Sequence, residues 1–124
     1  MVPAAAKEMP LTKGLNITLW VLQILAALAF LAAGGLKLAG AAPMVAEFEK
    51  IGLGQWFRYL TGLLEVTGAI GLLIPQYTFY GAAILVMVMG GAIITHFTVL
   101  GGSPVAAIVL LLITGTIAYF WRSK

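Results

Sequence analysis

The sequence predicts an all-α protein: a four-transmembrane-helix antiparallel bundle with a short amphipathic interfacial helix between helices 1 and 2. Three observations predict it. Of 124 residues, 62% are hydrophobic and 9% charged, whereas soluble domains are about half apolar and a quarter charged. Mean hydropathy is +1.08. No formal charge lies between Lys13 and Lys37, or between Glu65 and Arg122. Seven basic and four acidic side chains cannot cover a water-facing surface, so the solvent is lipid.

The first span is expected at Leu15–Ala39, where one continuous apolar run is long enough to cross a bilayer core of ~30 Å. It is too long for the apolar stretch of a signal peptide, and the segment ahead of it, residues 1–14, lacks a strongly basic start. It is therefore expected to be retained as an anchor behind a flexible N-terminal segment. The second span, Gln55–Ile74, is apolar apart from Arg58 and Glu65. The uncharged run beyond it needs dividing. Pro75-Gln76-Tyr77 is one divider, because proline opposes continuation of the preceding helix. Gly101-Gly102-Ser103-Pro104 is the other, a turn with proline suited to a helix start. These breaks give a third span at Thr78–Leu100 and a fourth at Pro104–Trp121, with a tail at 122–124. Backbone groups in hydrocarbon must bond internally, so all four are helices. Between the first two, Pro43 and Gly52 bracket an amphipathic stretch at 43–51. Met44, Val45, Phe48 and Ile51 share one face of it, and Glu47, Glu49 and Lys50 lie off that face, as expected of a helix roofing one end of the bundle.

Trp56, Phe57, Tyr59, Tyr77, Phe79, Tyr80, Tyr119, Phe120 and Trp121 fall at span ends, the pattern of interfacial aromatic belts. Lys7, Lys13, Arg122 and Lys124 gather at the termini, and the positive-inside rule then places both termini in the cytoplasm, with the chain in a bacterial inner membrane. No cysteine is present, which removes disulfides, thiolate metal sites and Cys-ligated clusters. The basic residues are scattered, not gathered in a patch, so no nucleic-acid partner is expected. No catalytic triad, phosphate loop or metal-ligand cluster occurs, and the chain is not expected to catalyse a reaction on its own. Met87 and Met89 read as packing, and Gly90-Gly91 as a place of close helix approach or local distortion.

The chemistry gathers at one place. Glu65 lies seven residues beyond Arg58, ~10 Å deeper at 1.5 Å per residue, near mid-membrane, where ionisable groups are rare and face the bundle interior. Arg58, Thr61, Gly62, Glu65, Gly68 and Ala69 share a helical face that is small and polar, and so cannot face lipid. Alternating span direction brings Lys37, Arg58 and His96 to one end, with Glu65 below them and the amphipathic helix above. Glu65, His96, Lys37, Arg58 and Thr61 thus form the candidate ligand-binding or protonatable pocket. Glu65 is either neutral or paired with Lys37 or Arg58, and His96 can relay a proton or bond a carbonyl or hydroxyl ligand. The alternative is a buried network that fixes helix register and nothing more.

These same residues carry a resemblance. Gly34-Gly35-Leu36-Lys37-Leu38, the segment Phe48-Glu49-Lys50-Ile51-Gly52-Leu53-Gly54, Gly62-Leu63-Leu64-Glu65-Val66-Thr67-Gly68 and the late His96 resemble, in that order, elements of the DoxX-like family of small four-helix membrane proteins. Gly52-Leu53-Gly54 departs from the family, many of whose members have a proline there. The resemblance implies a four-helix membrane bundle. Relatives are linked to quinone-dependent thiosulfate oxidation, to membrane redox complexes and, in an animal case, to receptor assembly. The expectation is an accessory or assembly protein holding a client helix or lipid-like ligand, partnered by the bilayer and by a membrane protein or a second copy. A quinone-linked redox subunit is the alternative, with quinone the one cofactor in prospect. A small proton-coupled transporter ranks third, because compact exporters of that kind carry their glutamate in the first span.

Overall fold

Among the described residues the chain is helical from Thr12 onward and is broken only where glycine or proline interrupts it. A computed structural model describes residues 12–122, and no strand occurs among them. The flexible segment expected before residue 12, and the placement of Lys7 and Lys124, lie outside the described residues. Five α-helices follow one another: α1 Thr12–Ala39, α2 Ala42–Ile51, α3 Gln55–Leu72, α4 Thr78–Thr95 and α5 Val105–Trp121. α1 starts three residues before Leu15, so Thr12–Gly14 is helical. α2 ends at Gly52 in the left-handed conformation (φ +85°), its N–H donating to the Phe48 carbonyl, the ending for which glycine is suited. α4 does not stop at Thr95. It continues through His96–Leu100 as a π-helical turn, closed by Gly101 N–H donating to the His96 carbonyl at 3.0 Å.

Two stretches, Lys13–Ala39 and Pro75–Leu100, are long and apolar enough to cross a membrane; Val105–Trp121 is apolar and shorter. α1, α3, α4 and α5 pack side by side around Phe30, Ala69, Leu72, Leu85, Met89 and Ile117. Lipid-like surroundings give apolar side chains no reason to leave them, so close backbone approach has to hold such helices together. Glycine allows it. A Cβ on Gly34 would meet the Gly62 carbonyl at 2.8 Å, and one on Gly81 would meet the Gly68 carbonyl at 2.6 Å. These contacts fix the α1–α3 and α3–α4 crossings and run antiparallel.

Gly90 and Gly91 play no such part, since a Cβ at either meets nothing within 4 Å. They leave space instead of seating a neighbour. Trp121 also departs from its expected place in an aromatic belt. It is fully buried, packs edge-on to Trp20, and donates to Gln23 Oε1 at 2.9 Å. Gln23 in turn donates to the Leu72 carbonyl at 2.8 Å, tying α1, α3 and α5 at the end away from Lys37.

Candidate functional site: a cavity walled by an ion pair

In α1 the 3–4 spacing of Phe30, Ala33 and Lys37 stacks these side chains on one face. That face meets the Arg58–Thr61–Glu65 face of α3. Lys37 Nζ lies 2.9 Å from Glu65 Oε1, with side-chain exposures of 11% and 2%. Of the two cations open to Glu65, the structure pairs it with Lys37. Breaking such a buried pair strands the remaining charge, at about 3–5 kcal/mol.

Arg58 is held elsewhere. Its Nη1 donates to the Lys37 carbonyl, its Nε donates to Gln55 Oε1 at 2.6 Å, and its guanidinium carbon sits 4.3 Å from the Tyr59 ring centre. The carbonyls of a helix's last turn have no partner within the helix. Arg58 lies level with the end of α1 and caps it, so it does not line the cavity below.

That cavity, about 640 Å3 in volume, is bounded by all five helices. Lys37, Glu65, Thr61 and His96 all line it, so the structure brings four of the five candidate residues together. Its shape follows from one seam. Phe57, Leu60, Thr61, Leu64, Gly68 and Gly71 recur at 3–4 spacing on α3, and Gly81, Ile84, Val88, Gly91 and Thr95 do so on α4. At the Pro75 end the seam is shut: a Cβ on Gly68 would stand 2.7 Å from Leu85 Cγ, and one on Gly71 would stand 3.2 Å from Gly81 Cα. Toward Arg58 and His96 the helices part, and Leu60, Leu64, Met87 and Gly91 become cavity lining.

α2 covers this open end. Phe48 is buried and packs edge-on to Phe57, 5.8 Å between ring centres. Lys50 Nζ donates to the Leu100 carbonyl at 2.9 Å, and Gln55 Nε2 donates to the Val45 carbonyl at 3.1 Å. Glu47, which sequence reasoning placed off the buried face and outside the pocket, lines the cavity beside Phe48.

The lining is mostly aliphatic and aromatic with a few polar groups at one end, the composition of a small-molecule site. Thr61 Oγ1 donates to the Phe57 carbonyl at 2.8 Å. His96 Nδ1 lies 2.8 Å from the Ala92 carbonyl; a carbonyl only accepts, so the neutral ring donates from Nδ1 and keeps Nε2 as an acceptor. Lys37 holds three N–H donors, and Glu65 is its one side-chain partner among the described residues. No cluster of His, Cys, Asp or Glu able to hold a metal ion occurs among the described residues.

Sequence reasoning missed Gln23, although it is one of two amides, with Asn16, in the charge-free run between Lys13 and Lys37 and falls fourteen residues before Lys37, on nearly the same face of α1. Its network is complete without a ligand, so it belongs to the architecture.

The model of the DoxX-like family matches residues 21–119. No curated protein and no solved structure matches the chain. The matched stretch takes in the Lys37–Glu65 pair, the covering helix α2 and His96, together with most of Lys13–Ala39 and all of Pro75–Leu100, the two stretches able to cross a bilayer; the chain is an integral membrane protein and belongs to the DoxX-like family.

Proposed function

We propose that the protein is a non-catalytic membrane accessory protein whose cavity holds a lipid-like small molecule, its polar head at Lys37, Glu65, Thr61 and His96. The carrying observation is a buried ion pair on the wall of a largely apolar cavity of about 640 Å3. A register-fixing network needs no cavity beside it. A client helix, about 10 Å across with its side chains, needs a groove open along its length, and this cavity is covered at one end by α2 and shut at the other by glycine contacts.

This reading takes α3 and α5 as spans along with α1 and α4, completing a four-span bundle. α3 supports that by being inverted. Its charges face inward, and its exposed positions are Trp56, Tyr59, Leu60, Leu63 and Ile70, with Thr67 the one that is neither aromatic nor aliphatic. At 18 and 17 residues, α3 and α5 reach about 25–27 Å at 1.5 Å per residue. The termini are then cytoplasmic, on the side of Gln76, in a bacterial inner membrane.

A quinone-linked redox subunit is the second reading. His96 and Glu65, both able to exchange protons, line the same cavity, and the electrons then come from a partner protein. Solvent extraction of purified protein, with the released lipids identified by mass spectrometry, tests both. A near-stoichiometric neutral lipid, lost in Glu65→Gln, supports the first reading; a quinone lost in the same way supports the second. Bulk membrane lipid at equal levels in both proteins contradicts each.

A further inference from the structure

The seam between α3 and α4 also defines how a ligand enters and what head it carries. We infer that the parted half of this seam is a lateral portal through which a neutral, hydroxyl-bearing, single-chain amphiphile enters from the lipid phase, leaving its chain between α3 and α4. The inference rests on the reading of the cavity as a ligand site and specifies its ligand class and route.

The route follows from residues that both line the cavity and face outward. Met87 is 76% exposed, Ile94 63% and Leu60 40%, and all three are lining residues. Leu60 lies on α3 and the other two on α4, flanking Gly91, which is exposed and has open space where a Cβ would stand. α2 is bonded across the end of the cavity to the Leu100 carbonyl, through Lys50, and to Gln55, through the Val45 carbonyl, so the way in from the headgroup side is covered. In a bilayer the gap beside Gly91 faces acyl chains.

The head follows from charge and from the hydrogen-bond inventory. Lys37 and Glu65 neutralise each other and Glu47 adds a second carboxylate on the α2 wall, so an anionic head meets two carboxylates and a cationic head meets the Lys37 ammonium. A neutral head avoids both penalties. Thr61 has committed its proton to the Phe57 carbonyl, and His96 has placed Nδ1 on the Ala92 carbonyl. Thr95 has likewise given its proton to the Ala92 carbonyl, at 2.9 Å. The cavity therefore presents several acceptors and one donor group, Lys37. A head bearing hydroxyl protons serves those acceptors, whereas a head that only accepts leaves them unpaired in a dry site.

The test uses the full chain in lipid nanodiscs and a monoacylglycerol carrying a photoreactive diazirine at mid-chain. Labelled residues are mapped by peptide mass spectrometry. Saturable labelling is expected at Leu60, Leu64, Met87 and Ile94. Competition by unlabelled monoacylglycerol is expected to exceed that by the methyl ester, fatty acid and alkylamine of equal chain length by roughly tenfold, the worth of one unpaired buried group. Gly91→Trp, which adds bulk into open space, is expected to abolish the labelling, and Gly35→Trp, on an exposed turn of α1 away from the seam, to leave it unchanged; melting temperatures of both show whether they fold. Should Gly91→Trp fail to fold, Leu64→Trp serves in its place. Saturable labelling that needs Lys37 but maps to the α4–α5 seam, or survives the blocking variant, overturns the portal and leaves the ligand site standing. Equal competition by the methyl ester, or stronger competition by a charged head, overturns the choice of head. Labelling that never saturates overturns the ligand site and this inference together.

Discussion

Glu65 and Lys37 neutralise each other in a place where neither charge is readily hydrated, and the pair must be judged as a unit. Lys37→Met alone leaves a buried carboxylate without its cation and is expected to lower stability by about 3 kcal/mol. The double change Lys37→Met with Glu65→Met is expected to cost less than the single one, because no charge is stranded; denaturation in detergent reads both. Gln23→Leu orphans the Trp121 N–H and leaves the Leu72 carbonyl only the longer bond from Thr78 Oγ1 at 3.3 Å, and an expected loss of about 1–3 kcal/mol comes without any change at the cavity. At this scale the sequence is informative where a charge interrupts an apolar run. Glu65 and Lys37 stand out for that reason, Thr61 because it shares a helical face with Glu65, and His96 because alternating span direction brings it to their end. It is silent where the partner is a backbone carbonyl, so nothing in the residue string shows Arg58 capping α1. It is silent again where the partner is 98 residues away, as Trp121 is from Gln23.

Helices here are separated by proline and glycine and joined by glycine, and the two uses look alike in a sequence. Pro75 and the Gly101-Gly102 pair are legible as breaks because a fixed φ or a positive φ ends a helix whatever surrounds it; Gly101 and Gly102 both have φ +70°. Gly81 and Gly90 are not distinguishable in this way, for what separates them is the neighbouring helix. Gly81→Leu is expected to unfold the α3–α4 pair or lower its melting temperature sharply, since a Cβ already meets the Gly68 carbonyl at 2.6 Å. Gly90→Ala has nothing within 4 Å and is expected to be neutral or to stabilise α4 by up to about 1 kcal/mol. Thermal melting of the two variants side by side checks the contrast. The π-helical turn at His96 had no signal in the sequence, because it depends on Gly101 reaching back to the His96 carbonyl.

Taken whole, the molecule is apolar outside and partly polar within, which is why composition alone reveals its solvent and class. Topology across the membrane is open to direct measurement because the chain contains no cysteine. Single cysteines at Leu53, Gln76 and Ser103 are expected to react with an impermeant thiol reagent from one side for Leu53 and Ser103 and from the other for Gln76; labelling of all three from one side contradicts four spans. The reading of the cavity as a ligand site rests finally on the ion pair serving binding as well as architecture. Native mass spectrometry from mild detergent, comparing the natural protein with Lys37→Met/Glu65→Met, separates those roles. A small-molecule adduct is expected on the natural chain and is expected to be absent from the folded double variant. The same adduct on both, or none on either, contradicts that reading.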